Sequence, residues 1–204
     1  MKNYICINGK KTELPKEFLE EVMQSRRGKA TIDGDIVTLS DGKEKYEFIV
    51  LDRSKETVAL LLKNLLVGET VFGSNNDYRG SKVESICDDF AKKIECIVGS
   101  DNLIEHTVDL TADDGLKDYG KIRKKMSLIT ADKARRFVDK LDKYKLDDWW
   151  WLATPYSTSK HGNTSWVKCV SPSGFIYHYD SFYYYYGGGV RPFCILKSNI
   201  FVSK

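Results

Sequence analysis

The residues with the most chemical content crowd toward the C-terminal end. Of the 12 tyrosines in this 204-residue chain, six fall in one short tract: Tyr177, Tyr179, Tyr183, Tyr184, Tyr185 and Tyr186. His178, Asp180, Ser181 and Phe182 fill the gaps, and neither Leu nor Val occurs from Phe175 through Gly189. A tyrosine offers a broad apolar ring and a polar tip on only two side-chain torsions, so it gives contact area at low entropic cost. Mixed with Ser, Asp and Gly, this is the chemistry of a recognition surface. Four successive tyrosines cannot share one face of a strand, because side chains alternate. At least one set is therefore expected to be exposed, or the run to be a loop. A second polar stretch, with Ser157, Ser159, His161 and Asn163, is expected to supply adaptable hydrogen bonding beside it.

Other reactive types are sparse. His106, His161 and His178 are the only histidines. His178 with Asp180 has the form of a base and its orienting carboxylate, but no nucleophile or metal-ligand set accompanies it. The reading is therefore of a non-enzyme, with no cofactor and no metal. Five cysteines, Cys6, Cys87, Cys96, Cys169 and Cys194, make an odd number without a C-x-x-C pair. That pattern supports neither a zinc site nor a disulfide framework, and buried free thiols are the expectation. Arg191 follows Gly187-Gly188-Gly189, and its five donors suit it to pinning a loop rather than binding an anion. The glycines themselves allow a sharp bend or the close approach of another segment.

Composition bounds the rest. Hydrophobic residues make up 42% and charged residues 30%, as in a soluble globular chain. A net charge of +3 gives no basis for nucleic-acid binding. No run is long and apolar enough for membrane insertion, and Met1 to Lys11 lacks the features of a signal peptide.

Residues 1–44 read as a small module and residues 45–204 as the main domain that positions these groups. Lys2 to Ile7 forms a strand before an Asn8-Gly9 turn. Pro15 opens a helix buried through Phe18, Leu19, Val22 and Met23. A hairpin follows around Asp33-Gly34 and Ile36 to Leu39. Tyr46 to Leu51 and Thr57 to Leu62 form a second hairpin. Ser81 to Ile94 has helical spacing at Val83, Ile86, Cys87, Phe90 and Ile94, opened by a Ser81-x-x-Glu84 capping box. Residues 99–120 read as a long loop. Met126 to Ile129 is a strand, and Thr130 caps a helix with a buried stripe of Ala131, Ala134, Val138 and Leu141. Trp149 to Leu152, Ser165 to Val170, Phe175 to Asp180 and Phe193 to Leu196 are strands, with one of the adjacent tryptophans in the core and another half-exposed. Helices followed by a strand-rich C-terminal third define the class α+β.

Several motifs carry a resemblance. Trp150 to Pro155, W-W-L-A-T-P, resembles the W-W-L-R-S-P motif of a bacterial and phage domain family of unknown function, and Gly189-Val190-Arg191-Pro192 resembles its closing G-V-R-P. Val170 to Gly174 matches its intervening V-x-x-x-G, while Tyr46 to Leu51, Val58 to Leu62 and Lys125 to Thr130 are similar to its early hairpin and its strand before a helix. The resemblance spans residues 45–198. It implies a C-type-lectin-like fold of the formylglycine-generating-enzyme branch, with the first 44 residues as an α/β appendage. It also implies kinship with variable proteins of diversity-generating retroelements, in which a reverse transcriptase rewrites adenine-containing codons near the C-terminus. Trp, Lys, Met, Gln and Glu, which those codons cannot reach, are absent from Phe175 to Gly189. Ala153-Thr154 departs from the family's Arg-Ser. The calcium-lectin tripeptides E-P-N, Q-P-D and W-N-D are absent, and Cys169 and Cys194 are the only candidates for the enzymes' paired cysteines.

The functional expectation is a phage- or prophage-encoded binding protein whose Tyr-rich surface recognises a protein or glycan on a cell surface, located in a virion or the cytoplasm. The alternatives are a virion structural or assembly protein, with residues 1–40 mediating a homo-oligomer, or an oxidase of the formylglycine-generating type.

Overall fold

A computed structural model describes residues 4–7, 10–13, 15–17, 30–182 and 188–203. The expected helical stripe Phe18, Leu19, Val22 and Met23 and the tract Tyr183–Tyr186 lie outside the described residues. Strands β1 (Tyr4–Ile7) and β2 (Lys10–Glu13) pair antiparallel, with Ile7 opposite Lys10, while the expected Asn8-Gly9 turn lies outside the described residues.

The main body is α+β, built on an 8-stranded sheet. Its strands are β3 (Ala30–Asp33), β4 (Ile36–Ser40), β5 (Lys45–Arg53), β6 (Thr57–Leu62), β7 (Leu103–Ile104), β10 (Met126–Ser127), β14 (Phe193–Lys197) and β15 (Val202–Ser203). They run in the order β10-β14-β6-β5-β4-β3-β15, with β7 also on β14. All pairs are antiparallel except β15 on β3. The boundary expected between residues 44 and 45 falls in the turn between β4 and β5. These strands pair from Ile36–Ile49 to Ser40–Lys45, and Val37 and Leu39 join the same core as Phe48. Residues 30–44 are thus part of the sheet, because their apolar alternation needs its buried face.

Helix α1 (Lys82–Val98) covers one face. Ser81 Oγ accepts from the Glu84 amide, but Glu84 reaches back one residue further than a capping box, to the Gly80 amide. Phe90 meets Tyr46 edge-on and stacks with Phe48. On the opposite face lie α2 (Ala131–Arg136) and α3 (Val138–Lys143). Thr130 caps α2 as expected, accepting from the Lys133 amide, and Thr154 Oγ1 accepts from the Ala131 amide. Thr154 therefore performs at this helix start what a serine there would. The expected stripe holds at Ala131, Ala134 and Leu141 but not at Val138, which is exposed because the helix breaks at Phe137.

The segment read as one long loop also contains a strand, β8 (His106–Asp109), which pairs with β9 (Lys121–Lys124). The C-terminal strands β11 (Trp150–Pro155), β12 (Trp166–Val170) and β13 (Ile176–Asp180) form a separate three-stranded sheet. β11 is buried throughout. Trp151 and Ala153 join the α1-side core, while Trp150 and Leu152 join the α2–α3 side. Both tryptophans are core because this strand lies between two apolar clusters, and Trp149 is the half-exposed one.

The G-V-R-P segment locks onto β11. A Cβ at Gly189 would sit 2.4 Å from Leu65 Cδ1 and 2.9 Å from Val67 O, and one at Gly188 would sit 2.9 Å from Trp151 N. The glycines serve close approach, which only a bare Cα permits. Arg191 is fully buried. It donates from Nε to Leu62 O (2.8 Å) and from Nη2 to Lys63 O and Tyr144 O (both 3.0 Å), with its guanidinium 5.1 Å from the Trp150 ring centroid. Burial lowers its pKa to about 10, so it stays charged at neutral pH, held by carbonyl dipoles. This is the pinning role expected of it.

Candidate functional site

Strand alternation divides the β12–β13 ribbon into two aromatic faces. Register pairs Cys169 with Tyr177 and Val167 with Tyr179. On that face Trp149 meets Tyr177 and Tyr179 edge-on, with centroids 6.0 and 5.1 Å away. Tyr179 packs against the core, while Tyr177 remains 52% exposed. The opposite face carries Trp166, Lys168, His178 and Asp180. His178 stacks on Trp166 at 5.0 Å and lies 4.6 Å from Tyr156, which meets Trp166 at 5.4 Å. Phe182 is exposed just beyond β13.

Below this second face is an open cavity of about 490 Å³ lined by Asp113, Asp114, Tyr156, Ser157, His161 and Asn163. Its two carboxylates come from the turn before β9 and its remaining groups from the loop after β11. Asp113 accepts from Lys168 Nζ (3.0 Å) and from Arg135 Nη2 (2.7 Å). Burial pushes the Asp113 carboxyl up, but the two cations outweigh it and hold the pKa below the usual value. Asp114 accepts through Oδ2 from Ser157 Oγ and pairs with His161 Nδ1 at 3.0 Å, while its Oδ1 accepts from the Leu116 amide. The Ser157 hydroxyl is the foremost cause of its lowered pKa, with the Leu116 amide and His161 adding to it.

A buried asparagine holds the loop in place. Asn76 donates its two Nδ2 hydrogens to Ser157 O (2.9 Å) and Trp166 O (3.1 Å), with Asn163 O (3.4 Å) as a shared third acceptor, and accepts at Oδ1 from Tyr119 OH (2.7 Å). Its own amide donates to Thr164 O. Asn163 Oδ1 in turn accepts from the Ser165 and Trp166 amides, fixing the chain that projects Trp166.

The expected site residues therefore separate. Ser157, His161 and Asn163 line the cavity, and His178 belongs to the aromatic cluster beside it. Ser159 is exposed in the 3₁₀ turn Ser159–His161. Tyr177 and Tyr179 leave the strand toward the other face of the ribbon, but the Tyr177 ring also stacks on His178 at 5.1 Å and so joins the two clusters. Ser181 is fully buried, a correction to its expected contact role. Its carbonyl accepts from the Phe72 and Gly73 amides, and its amide donates to Ser165 O. Asp180 accepts from the Phe182 amide while His178 is held by rings, so the two do not form a base-and-orienter pair.

Ser157, Asp114 and His161 meet in the wrong order for nucleophile activation. Hydroxyl and imidazole both address the same carboxylate oxygen, whereas an activated serine must donate to the imidazole. Cys169 and Cys194 are buried thiols, each pushed up to about 12 by burial, and so are protonated at neutral pH. Among the described residues no group of three or more His, Cys, Asp or Glu side chains is placed to hold a metal ion. No helix there is long and apolar enough to cross a membrane.

Sequence reasoning missed Asp113, Asp114, Tyr156, Trp166, Lys168 and Asn76. The available signal was Lys168 at strand period from Trp166, which marks that face as one not wholly given to core.

Compared with known protein-family models, with curated proteins and with solved structures, the chain finds no match.

Proposed function

We propose that this is a recognition protein. A scaffold of the C-type-lectin-like kind would present the aromatic ribbon β12–β13, and the Tyr183–Tyr186 tract that follows Phe182 in sequence, to a protein or glycan on a cell surface. One observation carries the reading. Every large aromatic side chain that is exposed among the described residues falls between positions 166 and 182: Phe175 (73%), Phe182 (58%), Tyr177 (52%) and Trp166 (41%). Solvent-facing aromatics concentrated in one stretch are typical of contact surfaces and costly elsewhere. Strand pairing on β12 holds part of this surface rigid, which reduces the ordering cost of binding. Diversification by a retroelement and a phage or prophage origin belong to the same proposal, supported by the codon-restricted composition of Phe175 to Gly189.

The test is binding of the labelled full-length chain to a panel of intact bacterial cells. Saturable binding is expected, weakened about tenfold or more by Tyr177→Ala with Phe182→Ala, or by alanine at Tyr183–Tyr186, as for central interface aromatics. The thermal midpoint of these variants should stay near that of the parent. Equal binding by the variants, or none by the parent, overturns the proposal. For diversification, the coding region should lie beside a reverse transcriptase and a near-copy of its 3′ end that differs at adenines.

A further inference from the structure

We propose that the cavity between Asp113–Asp114 and the 156–163 loop is a subsite for a neutral saccharide, bound without a metal ion. The assignment rests on the reading of this surface as a recognition surface and names its ligand class.

The carboxylates at the site come already engaged. Asp113 is shared between Lys168 and Arg135, and Asp114 between Ser157, His161 and the Leu116 amide. Asp113 is neutralised by its two cations, and the oxygens of Asp114, though no fixed cation pairs with them, are already engaged by Ser157, His161 and the Leu116 amide, so the acidic pair is not itself the attraction. What it does is orient its partners. Among the described residues, the Tyr156 hydroxyl, His161 Nε2 and Asn163 Nδ2 have no hydrogen-bond partner, and all three belong to residues lining the cavity. Asn163 is fixed with its carbonyl turned to the Ser165 and Trp166 amides, which leaves its NH₂ as a free donor.

Beside these groups stands a wall of rings. Tyr156 lines the cavity and is backed by His178 and Trp166, which stack 22° from parallel. A pyranose has this same duality, with an apolar C–H face that packs on an aromatic surface and a rim of uncharged hydroxyls that need donors and acceptors. At about 490 Å³ the cavity lies within the range of small-ligand clefts. A protein partner would need a far wider contact, on the order of 800 Å² from each side, which a concave polar pocket does not supply. Such a partner fits the Tyr177 face instead.

The experiment presents the full-length protein to an array of neutral mono- to tetrasaccharides, in EDTA and again in calcium. The best ligand is then titrated by calorimetry. Binding in EDTA is expected. Trp166→Ala should weaken it about tenfold or more, the scale of a central aromatic contact. Asn163→Asp, which keeps the turn-holding acceptor but removes the donor, and Tyr156→Phe should weaken it with unchanged thermal midpoints. Val138→Ala, exposed on α3 and outside both the ribbon and the cavity lining, should leave saccharide affinity intact. Dependence on calcium, or full affinity in Asn163→Asp and Tyr156→Phe, overturns the subsite. If no saccharide binds while the protein still binds cells whose glycans have been oxidised with periodate, the saccharide assignment falls and general recognition stands. If neither arrays nor cells are bound, both fall.

Discussion

His106 is buried at the inner end of β8, with Nε2 2.9 Å from Ser127 Oγ and its ring edge-on to Phe193 at 5.0 Å. Ser127 donates its own proton to Leu128 O, so Nε2 carries the hydrogen and the ring is neutral. Burial foremost, then the nearby Lys133 charge, lowers its pKa to about 3 from the ordinary 6.5. The unfolded chain therefore takes up a proton near pH 6.5 that the folded chain refuses until about pH 3. Stability from this residue is complete above pH 6.5 and declines as pH falls between those values. Between pH 7 and pH 5 the loss should be about 2 kcal/mol. Urea denaturation at both values should show it, and His106→Gln should flatten the difference. A pH-independent parent over that interval would contradict the argument.

At this same scale, residues with an unusual covalent character were readable from sequence. Arg191 and its glycines announced a pinned close approach because no other side chains can do those things. Asp113 and Asp114 could not be read, since an Asp-Asp-Gly turn has many solvent-facing precedents and the side chains that engage it lie 22 to 55 residues away.

Among the elements, strands with alternating apolar residues were legible and those without were not. β5 and β6 stood out by their runs, whereas β8 and β9 spell HTVD and KIRK, too short and polar to distinguish from loop. The 157–166 loop has little regular structure of its own, and its shape depends on Asn76, a residue unremarkable in sequence. Asn76→Ala would leave the Ser157 carbonyl and the Tyr119 hydroxyl without their partner and would leave the Trp166 carbonyl with the Tyr156 amide alone. The cost should be about 2–4 kcal/mol, by analogy with other broken buried networks. Hydrogen exchange should rise first at residues 157–166. Unchanged exchange there would mean that the loop is held by something else.

For the molecule as a whole, the α+β class followed from the order of helices and strands, but the joining of residues 30–44 to the main sheet did not, because pairing partners are not encoded locally. β11 contributes alternate side chains to both apolar clusters, so neither can come apart without disturbing the other. The described body should therefore unfold in one transition, with circular dichroism and tryptophan fluorescence giving coincident midpoints in urea. Two separated transitions, one tracking the tryptophans alone, would show that the clusters are independent.

The position of β14 has a consequence for biosynthesis. It lies between β6 and β10, although 130 residues of chain separate it from β6. While the ribosome is still making the protein, the β5–β6 hairpin must wait with a hydrophobic flank and a row of unpaired amides uncovered. A chain released prematurely before Phe193 would keep that flank open, making it a substrate for chaperones and proteases and prone to sticking to its own kind.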